Sequence, residues 1–235
     1  MFEKLIREVA DFHGDLVRNI KGIRRSQDLF DDLSADPADR AAAVAAESAT
    51  RLPSAAPMIT RPFDYGTVLT YPFLPHNWQA TRFSDGLAYG VWYGSLELET
   101  TVHETAYHWH RFVTDSYPSE AREIVGERRV LDVRCDAILL DLRGKERRAP
   151  GLVDRRDYGY TQGLGRYLVA QSQNGLLVRS ARAQGDNAAL LRPAVLSKVR
   201  EKCFLTYRMN PRVDEITVER TAGMSWLKIR PSALG

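Results

Sequence analysis

Two cysteines in 235 residues are too few for a disulfide-stapled secreted scaffold. Cys135 and Cys203 lie in apolar, strand-like stretches without CxxC spacing, which predicts reduced core thiols rather than a disulfide or a metal site. No apolar run approaches the ~20 residues that cross a bilayer, and MFEKLIREVADFHGD has no basic region followed by an apolar block. Neither a membrane span nor a signal peptide is expected, and a cytoplasmic location follows as the default. An excess of one charge sign is also missing. The net charge is +3, from 33 basic and 30 acidic residues, too balanced to imply nucleic acid. The basic clusters at 21–27, 127–134 and 143–148 sit beside acids and lack interleaved aromatic residues, as solvated faces do. GxGxxG and the GxxxxGK-S/T loop are absent too, so the two usual signs of a phosphate cradle at a helix end are missing.

What is present reads as two regions. Phe2, Leu5, Ile6, Val9, His13, Leu16, Val17 and Ile20 recur every three or four residues, which predicts an amphipathic helix of about five turns. Asp36-Pro37 offers an N-cap and a first-turn proline for a second helix through ADRAAAVAAESA, which LPSAAP at 52–57 ends. Residues 1–55 are therefore expected to form a helical extension and residues 56–235 the main domain. In the main domain TVLTY, AYGVWYG, RRVLDVR, AILLDL, GLLVRS, CFLTYRM, EITVER and SWLKIR predict eight strands. Two helices interrupt them. One is expected after an N-cap at Ser95, with Glu97 and Glu99 in its first turn and its end near Arg111. The other is expected from Thr161 to about Asn174, with Gly175 as the residue past its end. The fold class is α+β, with a mixed sheet and no regular βαβ rhythm.

The densest cluster of chemistry-bearing residues is VHETAYHWH, Val102–His110. A zinc-binding helix needs two histidines four apart on one face. At 3.6 residues per turn His103 and His108 are roughly 140° apart, and His108 and His110 about 200°. Glu104 and His108, at i and i+4, do share a face but supply too few ligands for a metal. No metal site is expected.

Three other places carry groups of interest: Arg82 in TRFSDG, Tyr93 in VWYGS and Ser180 in LLVRSARAQGDN. Taken singly each fits a bland role, as a surface arginine, a packed strand tyrosine and a loop serine. Their spacing is more specific. Arg82, Tyr93 and Glu104 stand eleven residues apart, followed by the later R-S-A-R-x-x-G-x-N. This pattern resembles the RES-domain family, whose members are typically toxins of bacterial toxin–antitoxin pairs. The resemblance spans roughly residues 60–210 and implies a fold related to ADP-ribosyltransferases.

It also implies chemistry on NAD⁺ as substrate, by cleavage of the nicotinamide–ribose bond through hydrolysis or phosphorolysis. Arg82, Tyr93, Glu104 and Ser180 match the family's arginine, aromatic, glutamate and serine. A further family arginine upstream is best matched by Arg61; because Pro62 follows where an aromatic fits better, Tyr65 is a second candidate for part of that role. On this reading Glu104 and Arg82 act in catalysis with Tyr93, while Arg61, Arg82, Tyr93 and Ser180 bind NAD⁺. Ser180 would hydrogen-bond ribose or the nicotinamide amide, and His108 would tune Glu104. The implied partner is an Xre-type antitoxin, with a homodimer of this chain in the complex as an implied assembly. Mono-ADP-ribosylation of a protein target is the alternative within NAD⁺ chemistry, and a non-catalytic binding protein the alternative outside it.

Overall fold

The computed structural model describes residues 2–3, 5–22, 65–117, 119–120 and 122–235, together with Asp36, Ala38, Asp39, Ala42, Ala45 and Ala46. Met1–Gly22 and Tyr65–Gly235 form one compact unit and Ile23–Asp64 another. In the second unit Ala38, Asp39, Ala42, Ala45 and Ala46 are helical. Asp36 Oδ1 accepts the Ala38 N–H at 2.8 Å, which is the capping bond expected for that helix.

The first unit corrects the reading of the N-terminus. Val9–Lys21 is a 13-residue strand, β1, and pairs antiparallel along its whole length with β3, Ile124–Asp141. The apolar spacing there fits a helix face, but pairing with β3 satisfies a continuous run of backbone groups and buries Leu16 and Val17. Phe2 lies before the strand, edge-on to Tyr160 at 5.5 Å between ring centroids. The helix expected from Phe2 to Ile20 therefore gives way to a strand of the main sheet, and the proposed boundary at 55/56 lies outside the described residues.

The other α-helices and strands described in this unit, apart from short 3₁₀ turns, are α1 (Tyr65–Thr70), β2 (Trp92–Ser95), α2 (Leu98–Ser116), α3 (Gly159–Ala170), β4 (Gly175–Arg179), β5 (Asp186–Leu190), β6 (Leu196–Met209), β7 (Ile216–Thr221) and β8 (Met224–Ile229). The sheet has eight strands in the order β1-β2-β5-β4-β3-β6-β7-β8, with an added β1–β3 pairing. That pairing closes β1, β2, β5, β4 and β3 into a ring, while β6, β7 and β8 extend antiparallel from β3. Among the described strands only β3 and β4 are parallel neighbours, and α3 lies in the connection between them. The α+β class holds, with a mixed sheet.

Individual elements depart from expectation for local reasons. TVLTY is mostly helical: the Val68 carbonyl accepts Trp92 Nε1–H at 3.2 Å, and short apolar runs do not separate helix from strand by composition. RRVLDVR and AILLDL are one strand. Strand β5, DNAAL, is poor in β-formers, yet Ala188 and Ala189 are fully buried between β2 and β4. Helix α2 is capped by Glu97 in extended conformation; Ser95 instead ends β2. Helix α3 ends at Ala170 with Ser172 at φ 56°, Ser172 N–H bonded to Val169 O and Gln173 N–H to Leu168 O, a Schellman end. Gly175 is needed for a different reason, because at the start of β4 a Cβ would meet the Ala189 carbonyl at 2.5 Å.

Among the described residues, two apolar clusters pack against the sheet. One packs Trp109 and Val113 of α2 on Tyr207, Met209 and Ile216; the other packs Leu164 and Leu168 of α3 on Leu140, Leu176 and Ala189. Leu16 is completely buried in β1. Leu16→Ala is expected to destabilise the fold by about 3 kcal/mol through lost transfer energy and a residual cavity, read as a lower urea midpoint at unchanged m-value.

Candidate active site

The closed ring of strands and α2 enclose a cleft of about 550 Å³, within the usual size of small-ligand sites. Glu104 stands in its wall from the second turn of α2. Its Oε1 accepts hydrogen bonds from Ser180 Oγ at 2.6 Å and Asn187 Nδ2 at 2.8 Å. Asn187 is oriented in turn by Ser95 Oγ, which donates to its Oδ1 at 2.7 Å. That contact fixes which end of the amide faces Glu104.

Ser180 itself is buried just after β4. Its hydroxyl donates to Glu104 and accepts the N–H groups of Arg182 and Ala183, both at 3.0 Å. One donor and two acceptor positions are thereby filled. Ser180 holds the carboxylate in place and has no hydrogen-bonding capacity left for a ligand in this arrangement.

Tyr93 and Arg82 meet through a short loop. Tyr93 Oη accepts the Phe83 N–H at 3.0 Å and lies 2.9 Å from Thr81 Oγ1, so the ring lining the cleft also holds the loop that carries Arg82. Burial raises the Tyr93 pKa well above the ordinary phenol value, and the hydroxyl stays neutral. From the other side Gln162 Nε2 donates to Thr81 O at 3.0 Å. Arg82 donates to the Asp154 carbonyl at 2.7 Å, and its guanidinium lies 4.6 Å from the centre of the Tyr158 ring.

Beside Arg82 the cleft holds an arginine that no sequence motif marks. Arg18 of β1 reaches the cleft, donates to the Tyr93 carbonyl at 2.5 Å and stacks 5.0 Å from the Trp92 ring centre. Burial lowers its pKa to about 10, which leaves it protonated at neutral pH, and its Nε has no hydrogen-bond partner among the described residues. Arg111 and Arg179 also line the cleft.

Behind Glu104 lies Arg182, with a side chain only 1% exposed and Nε 4.0 Å from Glu104 Oε2. It stacks on Tyr107 and donates to the Leu234 and Arg155 carbonyls and to Tyr158 Oη. One buried guanidinium thus touches the glutamate and the tyrosine platform beneath Arg82.

Arg82, Tyr93 and Glu104, singled out from spacing, share the cleft; Ser180 reaches it through Glu104. Arg61 lies outside the described residues, and of Tyr65 only the backbone is described, as the first residue of α1. Asn187 had a signal, as the last residue of R-S-A-R-x-x-G-x-N. Arg18 was hidden by the helical reading of β1. Among the histidines, His103 Nδ1 is paired with the Glu99 carbonyl at 2.8 Å, and no group of three metal-binding side chains occurs among the described residues.

Among known protein families, a model described as RES domain matches residues 50–210. No curated protein matches. Among solved structures, a chain from the crystal structure of the M. tuberculosis MbcT–MbcA toxin–antitoxin complex is similar at 14% identity and a TM-score of 0.43, over 87% of this chain and 88% of that one.

Proposed function

The chain belongs to the RES-domain family, and from that premise we propose that it is an intracellular toxin that cleaves the nicotinamide–ribose bond of NAD⁺ and is neutralised by a cognate antitoxin. The observation that carries this reading is the fixed carboxylate of Glu104, held by Ser180 and Asn187 in a cleft lined by four arginines.

The chemistry of NAD⁺ asks for these groups. Its diphosphate needs guanidinium forks where no glycine-rich loop is available, and Arg18 and Arg82 supply them from opposite parts of the chain. Loss of nicotinamide develops positive charge on the ribose, which a carboxylate beside the ring stabilises. Glu104 takes that part. Nicotinamide departs as a neutral amide and needs no acid, while the flat face of Tyr93 can orient it. Ser180 and Asn187 serve by holding Glu104.

The test is to incubate the purified chain, free of antitoxin, with NAD⁺ and to separate nicotinamide and all adenine-containing products by chromatography. Nicotinamide with ADP-ribose supports hydrolysis, and nicotinamide with a phosphorylated ADP-ribose supports phosphorolysis. Transfer of ADP-ribose to protein uses the same carbon and would appear as labelled protein. Intact NAD⁺ after long incubation, with and without cell lysate, would sink the enzymatic reading in favour of a binding protein.

Arg18→Leu is expected to raise KM for NAD⁺ about 30-fold with kcat within a few-fold of wild type. Charge-assisted hydrogen bonds contribute about 1.5–3 kcal/mol, and a phosphate contact persists equally in ground and transition states. Initial rates across NAD⁺ concentrations check this; an unchanged KM would remove Arg18 from the binding site.

A further inference from the structure

His108 follows Glu104 by one turn on α2, where side chains four apart lie about 5–6 Å from each other at Cβ. It lines the same cleft and is exposed to it. Its ring packs edge-on to Tyr107 at 5.2 Å between centroids. Neither ring nitrogen has a hydrogen-bond partner among the described residues. Glu104 differs in this respect. Its Oε1 already accepts from Ser180 and Asn187, and its Oε2 faces the Arg182 guanidinium.

An imidazole can accept a proton only while neutral. The surroundings of His108 favour that state: partial desolvation by the cleft walls lowers its pKa most, Glu104 opposes this, and the guanidinium groups of Arg182 beyond β4, Arg111 on its own helix and Arg128 on β3 add to the lowering, so the pKa lies below the ordinary value. A neutral, unpartnered imidazole one turn from a fixed carboxylate provides a second function in the same wall.

We propose that His108 is the proton acceptor for the water that attacks the ribose carbon, while Glu104 stabilises the charge on the sugar. This rests on the NAD⁺-cleaving reading above. The water O–H bond breaks and its proton passes to the unprotonated ring nitrogen of His108. The water oxygen bonds to the ribose carbon as the carbon–nitrogen bond to nicotinamide breaks, and that electron pair leaves with the nicotinamide ring, which becomes neutral. ADP-ribose is the other product, and the imidazolium returns its proton to solvent.

The experiment measures nicotinamide release by wild type, His108→Gln and His108→Ala from roughly pH 5 to 9, with circular dichroism on each and the co-product identified. The wild-type rate is expected to rise with pH through an acid limb as His108 loses its proton. His108→Gln should be about 30-fold slower at neutral pH, with KM within about twofold and the limb absent. General bases often give more, ~10²–10⁴, but here the leaving group departs without assistance and the attack is correspondingly easier. Added imidazole should restore part of the rate of His108→Ala. A His108→Gln rate equal to wild type overturns the proposal. So does a slow variant that keeps the acid limb and is not rescued, and so does a phosphorylated co-product formed equally fast without His108. Should wild type release no nicotinamide from NAD⁺ at any pH, the cleavage reading itself fails and takes this inference with it.

Discussion

Replacing Glu104 by Gln is expected to lower kcat for nicotinamide release about 10³-fold and to leave the chain folded. The side chains are nearly equal in size, and the glutamine carbonyl oxygen can still accept from Ser180 and Asn187, which hold Oε1 of the native residue. What is lost is the negative charge. In a preorganised site, removing one group aimed at developing charge typically costs about 2.7–4 kcal/mol, or 10²–10³-fold; the upper end applies because a full carboxylate charge disappears. The charge it opposes exists chiefly in the transition state, so KM should move little and kcat and kcat/KM should fall together. Single-turnover nicotinamide release with a parallel urea melt checks both halves. A variant that raised KM while keeping kcat would make Glu104 a binding group, and the assignment of the reaction centre would have to move.

The part of this site legible in the sequence is the part built locally. Arg82, Tyr93 and Glu104 come from one loop–strand–helix passage, so regular spacing carries them into the same cleft, and the loop between Thr81 and Ser84 is held by Tyr93 itself. Arg182 stands in the same short motif as Ser180 and Asn187, whereas Arg18 arrives by another route. Arg18 faces the cleft because β1 pairs with a strand more than a hundred residues away, register Arg18 to Leu131, and a pairing of that range leaves no local periodicity to read. Leu16 and Val17 are buried side by side, which breaks strict alternation and imitates a helical stripe. Strand β5 was missed for a related reason. Its alanines are chosen by the close approach of β2 and β4, a property of the folded sheet rather than of the segment. Ser180 was found by its motif, but its role followed only from the three bonds that fill its hydroxyl.

Arg182→Met is expected to lose stability and activity together, by about 3–5 kcal/mol and at least 10²-fold. The guanidinium is buried and donates to the carbonyls of Leu234 and Arg155 and to Tyr158 Oη. Methionine fills some of the volume and leaves those acceptors without a donor, at roughly 1–3 kcal/mol for each that stays dry. It also removes the cation that faces Glu104, but that carboxylate keeps its bonds to Ser180 and Asn187 and partial access to solvent, so the pair adds less than the roughly 3–5 kcal/mol of a fully buried one. Activity follows because the same group supports both halves of the site: Glu104 directly, and Arg82 through the Tyr158 ring on which it stacks. Arg182→Lys keeps the charge but cannot present a planar fork to three acceptors, so it should recover only a small part of either loss. Urea midpoints and turnover below the midpoint measure the two effects on one sample. If Arg182→Met were as stable as wild type, the desolvation of this guanidinium would already cancel its contacts, as buried ion pairs sometimes do. Any loss of turnover in that stable variant would then belong to Glu104 and Tyr158 alone, and Arg182 would be retained for the geometry of the site rather than for the fold.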